Sequence, residues 1–192
     1  MKKSVLFFAI VINIFLFSGC AFTPQTIGIN SLLSVRDDNV GQGKNIYISI
    51  VDKRPNNVIG HRTPISSMSA RIMTADNFVS QLQKTFTDNF QKRGFDVVND
   101  KGESLQIFVK INTIDHVLGM GMVELSVNTV VSMEVIAQNR DKKFDQNYYT
   151  ELKTSQPVTP SEQFNEKMVN QAISENLMKI FDDENFFAFL TQ

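Results

Sequence analysis

The chain has 192 residues, a formal net charge of −1, 42% hydrophobic residues and a single cysteine. This length supports one domain with a substantial core and is short for two. The near-neutral charge, without a basic stripe, argues against nucleic acid as a partner. No disulfide can form within the chain. We predict no metal and no cofactor, because no histidine or cysteine cluster has ligand spacing.

The first nineteen residues predict a cleaved signal peptide. Two lysines at positions 2–3 precede the almost wholly apolar run 4–17, which is too short to cross a bilayer comfortably. The small residues at 18–19 lead directly into Cys20, the pattern of a lipobox. We therefore predict that residues 1–19 are removed and that Cys20 carries the lipid.

The predicted lipid decides the location. Several acyl chains on one cysteine would anchor the protein stably, whereas a single chain binds a bilayer only marginally. Ala21 follows Cys20 where aspartate is the usual signal for retention in the inner membrane. We predict a protein anchored in the outer membrane through Cys20 and facing the periplasm.

The mature chain divides into two predicted parts. Residues 20–44 contain Pro24 and several Gly, Asn and Asp residues, which is typical of a tether, with one short strand near Thr26–Ile29. Residues 45–192 are predicted to form a single globular domain.

The first half of this domain predicts a strand, a long loop and a helix. Apolar residues alternate over Asn45–Val51, and turn-forming residues follow at Asp52–Asn57. The loop Pro55–Met73 is long for a compact domain. A helix then begins at Thr74, and Gly94 ends it. Its apolar stripe recurs every four residues, at Phe78, Leu82, Phe86 and Phe90.

The second half predicts a meander of strands and a last helix. After a short strand near 95–98, alternation predicts strands over Leu105–Ile111 and Val123–Ala137, separated by a loop at His116–Gly121. A hairpin turn at 139–142 returns the chain in a further strand. The last helix has Thr159 as its predicted cap, and a phenylalanine-rich turn near the C-terminus is expected to fold onto the core.

These elements predict an α+β fold. We expect a two-layer sandwich in which two amphipathic helices pack on one face of a mainly antiparallel sheet.

Few residues suggest chemistry. Asp52 and Arg54 flank Lys53 at a strand end and point the same way, so they could fix the following turn or contact a partner, with the structural role favoured. The two histidines, His61 and His116, are predicted to be surface or loop residues. No catalytic residues are predicted, because no hydrolase motif or phosphate-binding loop is present.

Two loops form a predicted contact surface. The long loop Pro55–Met73 and the glycine-containing segment Gly119–Met122 are both of a kind that often carries function. We hypothesise that together they contact another envelope protein.

The order of the elements resembles the YajG family of bacterial lipoproteins. The resemblance rests on the lipobox cysteine, the strand running into Val51–Pro55, Ile59-Gly60, the helix ending in Gln91–Phe95 and the long strand Val123–Ala137. A final amphipathic helix completes it. The resemblance implies a membrane-anchored, periplasm-facing α+β domain and no established enzymatic activity.

The sequence therefore favours a non-enzymatic binding or structural module of the cell envelope, with the membrane and an envelope protein as its partners. One alternative is a lipoprotein subunit of a secretion or transport complex. Another is a cell-wall-modifying or small-ligand enzyme, which would need a pocket holding Asp52 or Glu124 beside a histidine.

Overall fold

The computed structural model describes residues 23–30, 33, 35–65, 69–102 and 104–192. Eight strands form one sheet. They are β1 (Gln25–Ile27), β2 (Asn45–Asp52), β3 (Val58–His61), β4 (Arg71–Thr74), β5 (Asp96–Val98), β6 (Leu105–Met120), β7 (Leu125–Asn139) and β8 (Lys142–Gln156). Three helices lie among the described residues: α1 (Phe78–Lys92), α2 (Glu162–Phe181) and α3 (Glu184–Thr191).

The long strand β6 is the spine of the sheet. Along one edge it pairs with β7, which in turn pairs with β8, and both of these pairings are antiparallel. Along its other edge β6 pairs in parallel with β2 and then, further along, with β3. Strands β2 and β3 therefore lie end to end beside β6. The outer neighbours are β5 on β2 and β4 on β3, with β1 beyond β4.

The prediction of a two-layer sandwich, with two helices packed on one face of a mainly antiparallel sheet, is wrong. The sheet is curled into a half-barrel, and three helices accompany it. Four of its seven strand pairings are parallel. Long strands twist, and a bulge between Ile111 and Thr113 of β6 adds to the twist. Helix α1 carries the chain back to the start of β2, so β5 runs parallel to that strand.

One hydrophobic core lies between the helices and the inner face of the sheet. The inner residues of β7 are fully or almost fully buried, as their alternation predicted; they are Val127, Thr129, Val131, Met133, Val135 and Ala137. The predicted stripe of α1 is also buried. The C-terminal phenylalanines Phe186 and Phe187 of α3 fold onto the same core, which confirms that prediction.

Several local boundaries differ from those predicted. Thr74 does not cap α1, because it lies in β4, and Asn77 takes the cap position without a side-chain hydrogen bond. Ser161 caps α2 instead of Thr159, and it accepts a hydrogen bond from the backbone of Phe164. The predicted loop Pro55–Met73 contains β3 and the first three residues of β4. These strands have four residues each, too few for a periodic pattern to stand out.

Part of the span predicted as a tether packs against the domain. Strand β1 lies in the sheet, and Ile27 is buried. Further on, Asp38 forms a salt bridge of 2.8 Å with Arg93, and the backbone N–H of Gly43 donates to the carbonyl of Gly94. The helix end at Gly94 therefore holds the segment that leads into β2.

Candidate functional site

A cleft of about 700 Å³ opens where the sheet is interrupted. Strand β2 stays paired with β6 as far as Ile111, and the β3 pairing starts again at His116. Between these points the turn after β2 moves away from β6. We call this opening the sheet-break cleft; its lining residues are Arg54–Val58, His61, Arg71 and Asn112–Asp115.

The sheet-break cleft lies on the outer side of the sheet. Asn112 and Asp115 are exposed, whereas the alternate residue Ile114 is buried towards the helices. His61 and Arg71 are register partners on β3 and β4. The lining is rich in hydrogen-bond donors: two arginines, a histidine and asparagine amides, with Asp115 as its only carboxylate. This composition suits polar groups that accept hydrogen bonds.

Asp52 and Arg54 form an ion pair beside this cleft. Arg54 Nη2 lies 2.6 Å from Asp52 Oδ2, and Arg54 Nε donates to Asp52 Oδ1 at 2.9 Å. Arg54 Nη2 also donates to the hydroxyl of Thr74 at 3.1 Å. The pair therefore ties the end of β2 to β4. The turn-fixing role that the sequence favoured for this pair stays a prediction.

Arg54 is nevertheless only partly satisfied. Its side chain is 5% exposed, and its guanidinium lies 5.2 Å from the ring centroid of Phe78. Its Nη1 atom is buried and has no hydrogen-bond partner among the described residues. A buried donor without an acceptor is unfavourable. Arg54 thus combines a structural ion pair with a buried guanidinium N–H that no described residue accepts.

A second polar cluster is buried behind β6, on the helix side of the sheet. His116 is fully buried; its Nε2 lies 3.1 Å from Asn165 Oδ1, and its Nδ1 lies 2.8 Å from Thr129 Oγ1. Asn165 Nδ2 donates to Gln25 Oε1 at 3.1 Å, and Gln25 Nε2 donates to the carbonyl of Glu162 at 2.7 Å. The cluster links β1, β6, β7 and α2.

This hydrogen-bond chain assigns the histidine tautomer. Because the amide of Asn165 donates to Gln25, its oxygen is the acceptor that faces His116 Nε2, which must carry the proton. Nδ1 then accepts from the Thr129 hydroxyl. Burial lowers the pKa of His116 below its usual value of 6.5, although the hydrogen bond to Asn165 raises it. A neutral ring with both nitrogens engaged acts as a structural connector.

The prediction that His116 is a surface or loop residue is wrong. Strand β6 continues to Met120 and carries His116 on its buried face. Gly60 allows β3 to approach the backbone of β6 closely at this point, since a Cβ atom at position 60 would lie 2.0 Å from the carbonyl oxygen of His116. His61, by contrast, is half-buried and lines the cleft.

Sequence reasoning found only part of this site. It singled out Arg54 and the loop that contains His61 and Arg71, but it did not include Asn112 and Asp115. Their only signal is that they follow the clear alternation of Leu105–Ile111, at the point where the bulge reverses the pattern. Cys20, the predicted lipidation residue, lies outside the described residues. None of the helices in the described part of the chain is long and apolar enough to span a bilayer.

The family profile of uncharacterized lipoproteins matches residues 33–191. The chain belongs to this family. The match covers the whole sheet except β1, together with all three helices. A lipoprotein is held at a membrane by covalently bound lipid, so membership supports the anchored character that the signal sequence predicted, and it assigns no chemistry to the cleft.

Solved structures give a likeness of fold. An uncharacterized protein matches with a TM-score of 0.53 at 14% identity, covering 82% of this chain and 97% of that one. A putative neuraminyllactose-binding hemagglutinin homolog from Helicobacter pylori follows at 0.47 and 12%, covering 84% and 97%. Lipoprotein GNA1162 from Neisseria meningitidis scores 0.28 at 8%, covering 71% and 97%. Only the first is close enough to support the fold. No curated protein matches this sequence.

Proposed function

We propose that this lipoprotein is anchored in the outer membrane through Cys20 and faces the periplasm, where it acts as a non-enzymatic binding or structural module. Within the lipoproteins we assign it to the YajG type, on the order of sequence features given above. The observation that carries the proposal is the sheet-break cleft on a domain of a lipoprotein family. The partner is an envelope component that presents hydrogen-bond acceptors to this cleft.

Three features of the cleft support binding. It opens where the strand pairing of the sheet is interrupted, it is lined by donors from three strands and a turn, and the ion pair of Arg54 with Asp52 fixes that turn. Asp52 and Thr74 hold Arg54 in place, so the turn that forms one wall of the cleft is preorganised for a partner. Arg71 is exposed at the rim and can contact the partner directly.

The anchoring half of the proposal is tested with Cys20→Ser. After cell breakage, we expect the wild-type protein in the membrane fraction and the variant in the soluble fraction, because the acyl chains supply the attachment. Extraction of the wild type by detergent, but not by high salt, is the matched control. A variant that sediments with membranes as firmly as the wild type contradicts the proposed anchor.

The binding half is tested by photo-cross-linking in intact cells. A benzophenone amino acid at Asn56, within the cleft, should give a discrete adduct, whereas the same probe at Gln91, exposed on α1, should not. Adding Arg71→Glu should remove most of the adduct, and Lys92→Glu, an equal charge reversal on another surface, should leave it intact. Equal adducts from both probes, or insensitivity to Arg71→Glu, contradict the assigned cleft.

A further inference from the structure

The β6–β7 hairpin ends in an exposed apolar tip. The exposed fraction is 73% at Met120, 105% at Met122 and 88% at Val123. Two further exposed apolar residues lie at the same end: Ile65 follows β3, and Val158 follows β8. We call these five residues the apolar tip. Clustered exposed apolar residues mark interaction sites on soluble domains.

The first strand of the sheet, β1, begins at the same end. Strand β3 runs parallel to β6, β4 runs antiparallel to β3, and β1 runs parallel to β4. Strand β1 therefore runs away from the apolar tip, and its first residue, Gln25, lies at the end of β1 that is nearer to the tip. Gln25 is fixed there, because it is buried and bonded to Glu162 and Asn165.

The distance to the predicted lipid is short. Cys20 lies five residues before Gln25, which allows at most about 18 Å between their Cα atoms. Through Ile72 and Gly60, the strand register places Gln25 level with His116. From His116 the hairpin extends four residues to Met120, or about 14 Å, before its turn begins. The chain between Gln25 and Cys20 is therefore long enough for the predicted lipid and the hairpin to meet the same bilayer surface.

The residue types at the tip suit lipid. Between Val117 and Leu125 the only charged residue is Glu124, whose carboxylate accepts a hydrogen bond from Ser155. Burial of methionine and valine side chains at the interface of a bilayer is favourable, because it removes apolar area from water. The described residues of the apolar tip include no cation that would require anionic headgroups.

We propose that the apolar tip inserts into the interfacial region of the bilayer leaflet that holds the acyl chains of Cys20. The domain is then oriented with its β6–β7 hairpin towards the membrane. The occupant of this surface is lipid, and the sheet-break cleft is left facing the periplasm for the partner. This inference rests on the proposed lipidation of Cys20, because the short reach from Gln25 confines the tip to the bilayer surface.

The test uses the acylated mature protein, which begins at Cys20 and in which the lipid occupies the only native thiol. Met122→Cys and, as a matched control, Asp141→Cys at the opposite end of β7 each introduce one labelling site. Strand β7 separates them by about 45 Å. Each variant carries an environment-sensitive fluorophore and is reconstituted into phosphatidylcholine vesicles containing nitroxide-labelled lipid.

We expect the label at Met122 to shift to the blue and to lose most of its emission to the nitroxide, while the label at Asp141 does neither. Vesicles that also contain phosphatidylglycerol should give the same result. An unquenched label at Met122, on protein that sediments with the vesicles, overturns the inference and leaves the anchor standing. Protein that fails to sediment counts against the lipidated anchor itself.

A protein occupant would give a different result. If a benzophenone amino acid at Met122 gives a discrete protein adduct in intact cells, the tip is a protein interface and the inference is wrong. Cross-linking to lipid alone supports it.

Discussion

The two ends of the curled sheet are packed by different chemistry. At the end near β5 and α3, Phe90 meets five other phenylalanine rings at centroid distances of 5.2–6.3 Å. At the end near β1, the interior is the hydrogen-bonded cluster of His116, Thr129, Asn165 and Gln25. The aromatic end gains stability from buried apolar area, which tolerates small displacements. The polar end is stable only while each donor keeps its acceptor.

The difference in packing fits the proposed orientation of the domain at the membrane, in which the end near β1 faces the bilayer. The polar cluster fixes Gln25 and β1, and therefore fixes the start of the domain that follows the predicted lipidation residue. Directional hydrogen bonds hold one geometry, whereas a purely apolar contact would allow several. The aromatic end contributes the cluster of phenylalanine rings and lies at the opposite end of the sheet from β1.

The largest expected effect is at the aromatic end. Phe90→Ala should lower the free energy of unfolding by about 3–5 kcal/mol, because it leaves a cavity among five rings. Urea denaturation followed by circular dichroism measures this loss. Phe108→Ala, on the half-buried outer face of β6, is the matched control and should cost clearly less. Equal losses would mean that the aromatic cluster is not a special source of stability.

At the polar end, Asn165→Ala should cost about 2 kcal/mol, since it leaves the Nε2–H of His116 and the Oε1 of Gln25 without partners. The same denaturation measurement checks it. Asn185→Ala, an exposed amide at the start of α3, should be almost neutral. If Asn165→Ala were equally neutral, the buried chain of hydrogen bonds would not be what holds β1 to α2.

The helix caps give a smaller and paired contrast. Ser161→Ala at the start of α2 should cost about 1 kcal/mol, the usual value of one capping hydrogen bond. Asp183→Ala at the start of α3 should cost about 2 kcal/mol, because Asp183 also accepts from the Tyr148 hydroxyl at 2.7 Å. Thermal melts of both variants test the order. If Ser161→Ala lowered the stability more than Asp183→Ala, the hydrogen bond from Tyr148 to Asp183 would contribute no net stabilisation.

The smallest effect is a pH dependence confined to the polar end. The lowered pKa of His116 means that the unfolded chain takes up a proton more readily than the folded protein does. This contribution to stability is fully present above the usual pKa of 6.5 and is lost as the pH falls below it. Denaturation at about pH 7.5 and about pH 5.5 should show a decrease that His116→Gln diminishes and His61→Gln retains. A decrease unchanged by His116→Gln would trace it to other groups.

Sequence patterns predicted the elements better than their arrangement. The periodicity of Phe78, Leu82, Phe86 and Phe90 predicted α1, and the alternation of β7 predicted which of its faces is buried. Both are local patterns that burial imposes on a single element. Strands β3 and β4 were missed because four residues are too few for such a pattern. The extension of β6 through His116 was missed because the bulge after Ile111 reverses the alternation.

The candidate site was predictable only in part for a related reason. The turn with Asp52 and Arg54 is visible as a local break in alternation, but the opposite wall of the cleft comes from β6, more than fifty residues later in the chain. Which strand lies beside β2 is a long-range choice. The turn residues themselves do not encode it.

The sequence by itself determined two of the helices, α1 and α2, and most of each long strand, with their buried faces. It also contains the signal and the cysteine that predict a lipid anchor. Each of these patterns depends on residues close together in the chain. Only the tertiary structure decided the parallel pairing, the curl of the sheet, the burial of His116 and the shared end of β1 and the hairpin. Those features depend on hydrogen bonds and apolar contacts between segments that are far apart in the chain. The sequence pattern of one segment does not specify which other segment it will pack against.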